Sequence, residues 1–322
     1  MTASLKRRSL LGGLALVPMA HALGLPAGAI PQRASSRVIV DNDFAGDPDG
    51  LVALAHQLLA PKTRTVLVTT SAVDAELARL AGFDAGQSPV VGARLAEELL
   101  RRLGGRDLPA VVAGTAPGAK TDNAAARAIV AEALRDDPLP LVLTCGGPLT
   151  NVAAALRLNP AIAKRMRLVW IGGLAGADGG AEYNLSTDLA AARVVFEEST
   201  LPVLQIPAEE YRRFQVSVAE LDDGFRAISP LAGWLYDQYV KLPAFVQLAG
   251  TLTFGDSPLV SATAFDPVST PFVERPVRRI RDDGRHGDVV TGRHVRMAHS
   301  LDPRLNLADF LALLRAHARQ AG

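Results

Sequence analysis

The stretch Arg37-Val38-Ile39-Val40-Asp41-Asn42-Asp43-Phe44-Ala45-Gly46-Asp47-Pro48-Asp49-Gly50 passes from a β-branched apolar run into a turn crowded with acid. Arg37 to Val40 predicts a buried strand. Leu51 to Leu59, with Leu51, Leu54, Ala55, Leu58 and Leu59 on one face, predicts a helix. Between them four carboxylates, Asp41, Asp43, Asp47 and Asp49, fall within nine positions. Held together unpaired, such groups repel and raise each other's pKa. A bound cation removes that problem, and hard oxygen ligands beside glycines suit Ca2+ or Mg2+. No His stands inside the cluster, which argues against zinc. The plainer reading is a solvated acidic turn in which Asp47 or Asp49 caps the next helix. The apolar strand running directly into the cluster favours a site.

The same rhythm continues outward. Strands are predicted at Thr65–Thr69, Ala110–Ala113, Leu141–Thr144, Leu168–Ile171 and Val203–Ile206. Helices are predicted at Leu95–Leu103, Asn123–Leu134, from Asn151 to Leu156, and at Leu189–Glu198. Ser217–Val246 reads as mostly helical, Val277–Met297 as a polar β-ribbon or loop, and Asn306–Gln320 as a closing amphipathic helix. This alternation predicts one α/β domain over residues 36–322, a mostly parallel, Rossmann-like sheet flanked by helices. In such sheets ligands bind beyond the carboxyl ends of the strands, so the residues just after each strand are the ones to inspect.

Composition narrows the partners. Lys and Arg number 34 against 33 Asp and Glu, a formal charge of +1, so no electrostatic signature of nucleic-acid binding is present. The single cysteine, Cys145, excludes an internal disulfide and a thiolate zinc site, and its place at a strand end predicts a packing role. Lys6-Arg7-Arg8-Ser9-Leu10-Leu11 and the short apolar run to Ala20 describe a signal peptide over residues 1–29, cleaved after Ala22 or Ala29. The paired arginines resemble a twin-arginine export signal, which implies a periplasmic protein with no membrane attachment after cleavage. The run is too short to span a bilayer.

Five segments, in order, resemble the inosine-uridine nucleoside hydrolase family. They are the Asp41–Asp49 cluster, Cys145-Gly146-Gly147-Pro148-Leu149-Thr150-Asn151-Val152-Ala153, Trp170-Ile171-Gly172-Gly173, Ala181-Glu182-Tyr183-Asn184 with Asp188 beyond it, and Gly255-Asp256-Ser257-Pro258-Leu259. The tail, with Asp302, Arg304, Asp309 and Phe310, resembles a bacterial and fungal subgroup. The resemblance implies hydrolysis of ribonucleosides or related ribosides to ribose and free base, with Ca2+ as cofactor and a homodimer or homotetramer as the assembly. It implies Asp43 as the general base for the attacking water. Asp41, Asp43, Asp49, Asp256 and the Gly146 carbonyl would hold the metal, and Asp47, Asp49, Glu182, Asn184 and Asp256 would hold the substrate. The chemistry agrees. Breaking an N-glycosidic bond builds positive charge on the ribose, which nearby carboxylates stabilise, and a metal-bound water gives up its proton readily. Glu182 and Asn184 are alternate residues, so in an extended segment both point the same way.

The sequence departs from the family pattern where a further Asp and a late His are common. Gly50 and Gly255 stand there. Gly255 leaves the departing base without its usual acid, and His286, His294 and His299 are the candidates to replace it. Trp234, Tyr236 and Tyr239 read as core or interface. Two alternatives remain. One is a non-catalytic periplasmic sugar-binding homologue. The other is a haloacid dehalogenase-type phosphatase with Asp41 as nucleophile, which would draw on Lys164 and Asp282-Asp283.

Overall fold

Val38, Ile39 and Val40 are all buried, as expected of a strand covered on both sides, and β1 (Ser36–Asn42) runs through the middle of an eight-stranded sheet. The computed structural model describes residues 30–105, 107–118, 122–243, 246 and 248–321. The expected export signal and both of its cleavage positions lie outside them. After β1 come α1 (Asp49–Leu59), β2 (Thr63–Thr70), α2 (Ala75–Leu80), α3 (Ser88–Leu103) and β3 (Ala110–Ala113). Next are α4 (Ala124–Leu134), β4 (Leu141–Cys145), α5 (Thr150–Leu158), β5 (Met166–Ile171), α6 (Tyr183–Thr187), α7 (Leu189–Arg193) and β6 (Val203–Ile206). Then follow α8 (Ala208–Tyr211), β7 (Gln215–Ser217), α9 (Val218–Glu220), α10 (Pro230–Val240), β8 (Thr251–Thr253) and α11 (Pro258–Ala264). The chain closes with β9 (Phe272–Ile280), β10 (His286–Ala298) and α12 (Pro303–Ala321).

The strand order is β3-β2-β1-β4-β5-β6-β10-β9. Every pairing is parallel except that of β9 with β10. The chain steps outward from β1 through β2 to β3, then returns to the other side of β1 as β4. That reversal opens a crevice between the carboxyl ends of β1 and β4, where ligands of open parallel sheets bind. Side chains alternate across the sheet. Ile39 packs with Leu143, Leu168, Ile129 and Val152 on the face covered by α4 and α5. Val38 and Val40 pack with Leu51, Leu54, Leu99 and Phe310 on the face covered by α1, α3 and α12. Each such aliphatic side chain contributes about 1.5–3 kcal/mol by leaving water.

The structure differs from the sequence reading in three places. Helix α2 is an addition, started by Asp74, whose side chain accepts from the Glu76 and Leu77 amides. The 217–246 stretch is mostly helical, as expected, through α9 and α10, but a strand the sequence reading did not expect precedes it. Strand β7 pairs with β8 as a separate small sheet, and α10 begins at Pro230, where the Ser229 side chain accepts from the Ala232 amide. The late polar stretch is a ribbon, as one of its two readings had it, but β10 docks in parallel on β6 and extends the main sheet. The Arg293 guanidinium pins it there by donating to the carbonyls of Val195, Phe196 and Leu201.

Candidate active site at the carboxyl ends of β1 and β4

Strand parity separates the first two polar residues of the crevice. Asp41 shares the face of Ile39 and points toward α5, whereas Asn42 shares the face of Val40 and points toward α1. Asp41 is fully buried. Its Oδ2 accepts from Thr69 Oγ1 at 2.5 Å and from Asn151 Nδ2 at 2.7 Å. Thr69 is its register partner on β2, and Asn151 stands in the first turn of α5, delivered by the Gly-Gly-Pro-Leu-Thr turn after β4. Burial nevertheless pushes the Asp41 carboxyl up to about 6. Cys145 ends β4 with its thiol 3.2 Å from the Gly147 carbonyl. Burial first, then the charge of Asp41, lifts that thiol well above its ordinary value, so it packs and stays protonated.

Three further carboxylates face the crevice. Asp43 is buried, and its turn is closed by the Gly46 amide donating to the Asp43 carbonyl at 2.7 Å. The Tyr183 phenol donates to its carboxylate and accepts from the Asp74 amide at 3.2 Å. Asp49 Oδ2 accepts from the Asp256 amide at 3.1 Å, which ties the start of α1 to the loop after β8. Burial, then the charge of Asp256, raises Asp43 and Asp49 well above the ordinary carboxylate range. Burial likewise pushes Asp256 up to about 7. Among the described residues, no Lys, Arg or His side chain is among the causes of these shifts. Asp47 lies at the exposed rim and acts on Asp43, Asp49 and Asp256 through its charge. Neither Asp47 nor Asp49 occupies the N-cap position of α1, although the Asp47 carboxylate accepts from the amide of Asp49, the first residue of the helix. Pro48 stands at the N-cap of α1 with no side-chain cap bond. Among the described residues, no three His, Cys, Asp or Glu side chains already sit as a formed metal cage.

Sequence reasoning missed Asn42. Its Nδ2 donates to Asp256 Oδ2 at 2.8 Å, and its buried Oδ1 has no partner. The amide fills the space a side chain at Gly50 would need, since a Cβ there would lie 2.6 Å from Asn42 Oδ1. The signal was available in the parity of β1, which aims Asn42 at the start of α1, and in the glycine found there.

Glu182 and Asn184 reach the crevice by a different route from the extended segment expected of them. Glu182 is the extended N-cap of α6, and Asn184 is already helical. Both are buried. Asn184 Nδ2 donates to the carbonyls of Gly146 at 3.2 Å and Ile171 at 3.0 Å, while its buried Oδ1 has no partner. Glu182 Oε2 accepts from the Gly173 and Leu185 amides, and Oε1 accepts from the Tyr211 hydroxyl. Tyr239, expected in the core, is indeed buried and stacked on Phe254. Its hydroxyl is unpartnered, and it feels the charges of Asp49, Asp47 and Asp256. The three late histidines do not gather at the carboxylates. His286 meets the Ala177 carbonyl, His299 meets Ser300, and His294 is exposed on β10. Strand β10 is four places from β1 in the sheet, about 19 Å at the usual strand spacing.

The family model for inosine-uridine preferring nucleoside hydrolases matches residues 38–249. The chain belongs to this family. The match takes in the acidic cluster, the Gly-Pro-Leu-Thr-Asn turn and the Glu182–Asn184 segment, and stops short of Asp256. A pyrimidine-specific ribonucleoside hydrolase, RihA, of Salmonella arizonae is 30% identical over 201 residues, covering 56% of this chain and 63% of the relative. The match therefore spans less than two thirds of that protein's length. The solved inosine-uridine preferring nucleoside hydrolase of Bacillus anthracis superposes with a TM-score of 0.65 at 16% identity, over 87% of this chain and 99% of that one. A purine-preferring ribonucleoside hydrolase from Gardnerella vaginalis gives 0.61 at 21% identity, over 88% and 99%. These two likenesses establish the shared fold.

The nucleoside hydrolase fold also disposes of the phosphatase alternative. The Asp41 carboxylate is engaged by Thr69 and Asn151 and is fully buried. Lys164 is exposed at the amino end of β5, across the sheet from it, and Asp282 is 98% exposed in the β9–β10 turn. A phosphoryl-transfer site needs these groups at one edge.

Proposed function

We propose that the chain hydrolyses the N-glycosidic bond of ribonucleosides or related ribosides, giving ribose and the free base. One observation carries this reading. Buried carboxylates without a cationic partner gather at the crevice between β1 and β4, beside unpartnered buried oxygens on Asn42 and Asn184. A buried charge is costly unless paired, and an electropositive ribosyl group is what such a crevice stabilises best.

The donor set fits a hard divalent cation, with carboxylates of Asp43, Asp49 and Asp256, the Gly146 carbonyl and the orphaned Asn42 Oδ1 as all-oxygen ligands for Ca2+. Asp41 would support Asp43 and border that shell. Bound there, Ca2+ would acidify a water and neutralise the carboxylates' mutual repulsion. Asp43 accepts the proton of the attacking water as its oxygen bonds to C1′ of the ribose. The C1′–N electron pair leaves with the base. Asn184 Oδ1, Glu182, Asp47, Asp49 and Asp256 accept from the sugar hydroxyls, and the carboxylates bear the developing charge. Gly255 supplies no acid to the base, so leaving-group quality matters.

Ribose release from uridine, inosine and a nitrophenyl riboside tests the reading, with phosphate release from a phosphate ester as the control. We expect ribose from at least one riboside, fastest from the nitrophenyl compound. Phosphate release alone overturns the proposal. Adding Ca2+ to chelated protein should raise Tm by linkage; an unchanged Tm, with no bound metal by elemental analysis, removes Ca2+ from it. We also propose export through residues 1–29. Replacing Arg7 and Arg8 by Lys should leave precursor in the cytoplasm, and unchanged periplasmic accumulation rejects the twin-arginine route.

A further inference from the structure

We infer that Tyr211 is a positioning residue for Glu182, and that Gly255 exists in part to leave room for it. The inference rests on the riboside-hydrolase reading above. Helix α8, only four residues long, is tied down along its length. The Ala208 amide donates to the Gly173 carbonyl at 2.9 Å. Glu209 Oε2 accepts from the Ala175 amide at 2.9 Å, and Glu210 Oε2 accepts from the Leu301 amide at 3.1 Å. Its last residue, Tyr211, therefore has little freedom. The phenol donates to Glu182 Oε1 at 2.7 Å, a bond to an ionised acceptor and hence of the stronger class.

Glu182 is only 4% exposed. Its other oxygen is held by two backbone amides, from Gly173 at 2.7 Å and Leu185 at 3.1 Å. Three donors from three segments thus fix the plane of one buried carboxylate and leave it one acceptor site for a sugar hydroxyl. Burial and the neighbouring Glu182 charge raise the Tyr211 phenol further above its ordinary value, which keeps it a donor.

The ring needs space that another residue could take. A Cβ at Gly255 would lie 3.3 Å from Tyr211 Cδ2 and 3.0 Å from Asp49 Oδ2. A side chain there must push the ring, the carboxylate, or both. Gly255 thus leaves room for both the Tyr211 ring and the Asp49 carboxylate, which accepts from the Asp256 amide. A sugar gripped by Glu182 and by Asp49 is then held by groups whose spacing Tyr211 helps to set.

Tyr211→Phe removes the hydroxyl and keeps the ring. Steady-state kinetics would be measured on uridine and on its 2′-, 3′- and 5′-deoxy analogues, or on the matching nitrophenyl ribosides if those turn over faster. The expected result is a fall of about 10- to 100-fold in kcat/KM on the parent riboside, the value of one hydrogen bond to a charged group. That fall should vanish for the one deoxy analogue lacking the hydroxyl that Glu182 takes, with Tm unchanged. An equal fall on all four substrates, or none, overturns the positioning role while leaving the hydrolase reading intact. If wild-type protein neither turns over nor binds any riboside, the hydrolase reading fails and takes this one with it. Gly255→Ala should produce the same substrate-selective loss together with a general one through Asp49; kinetics identical to wild type reject the claim about space.

Discussion

The two ends of β1 bury charge in opposite ways. At its amino end, Arg37 is 3% exposed and closes on protein partners: an ion pair with Glu132, Nε 3.6 Å from Asp137 Oδ1, and a bond to the Leu139 carbonyl at 3.2 Å. Glu132 is shared with Arg135, and Asp137 with Arg64. Asp137 is held below the ordinary carboxylate value, first by the Leu139 amide and then by Arg64 and Arg37. At the carboxyl end, Asp41, Asp43 and Asp256 are equally buried, burial is the first cause that raises all three, and no Lys, Arg or His among the described residues opposes it. One strand therefore carries a finished electrostatic network at one end and an unfinished one at the other. The finished end serves stability. The unfinished end is what the proposed function draws on, because burial disfavours the ionised form of each of these carboxyls unless a positive group joins them.

The sharpest way to break this comparison is Asp43→Asn. Turnover should fall by about 10²–10⁴-fold, the usual worth of a general base. The Tm of metal-free protein should hold or rise, because a buried carboxyl whose ionised form burial disfavours is gone. A large Tm loss would show that Asp43 is structural. The converse variant, Arg37→Met, should leave turnover nearly intact and lower stability by about 3 kcal/mol, since it removes the buried partner of Glu132 and leaves that carboxylate only the exposed Arg135. Denaturant unfolding reads this directly, and Arg37→Met with Glu132→Leu should recover most of it. Equal losses in the single and double variants would mean that packing, rather than charge pairing, holds that end.

A smaller effect is expected at Asn42. Asn42→Ala removes the amide that clamps Asp256 and offers Oδ1, and Ca2+ affinity measured by calorimetry should weaken by about 10- to 100-fold. Gly50→Ala should do the same by displacing the amide. Unaltered affinity in both variants would take Asn42 out of the site.

The smallest effect is a pH dependence far from either end. His56 on α1 is buried against Phe310 and Asp309, and burial outweighs Asp309 to lower its pKa from the ordinary 6.5. The fold thus favours the neutral ring. Its stabilising contribution is complete above pH 6.5 and is lost as pH falls through that value toward the lower folded pKa. The Tm difference between wild type and His56→Gln should shrink as pH drops from 7.5 to 5; a constant difference would refute the shift.

Much of this was legible in the residues. The β-branched runs and helical stripes located nearly every strand of the sheet, because burial on both faces leaves an unbroken apolar signature. The acids after β1 and the Gly-Pro-Leu-Thr-Asn turn after β4 named the crevice, because open parallel sheets bind ligands beyond their strand ends. The small β7–β8 sheet was less legible. Strand β7 is three residues long, and its partner β8 lies more than thirty residues away. Partners at that separation leave no periodic trace.

What the sequence by itself determined was the alternating architecture and the chemical character of one edge: acid-rich, glycine-turned, with a Glu and an Asn further along. Those follow from local periodicity and residue chemistry, which need no knowledge of neighbours in space. Only the tertiary structure decided who completes each group. It put Thr69 and Asn151 on Asp41, Tyr183 on Asp43, Asn42 in the room beside Gly50, and the Tyr211 ring in the room beside Gly255. It also carried the late histidines away along the sheet edge and left a tyrosine hydroxyl near the carboxylates instead. Hydrogen bonds and steric exclusion act over a few ångströms, and, apart from Asn42 and Gly50, the residues they join here lie tens to hundreds of positions apart. Their pairing is a property of how the strands are ordered, which no single segment encodes.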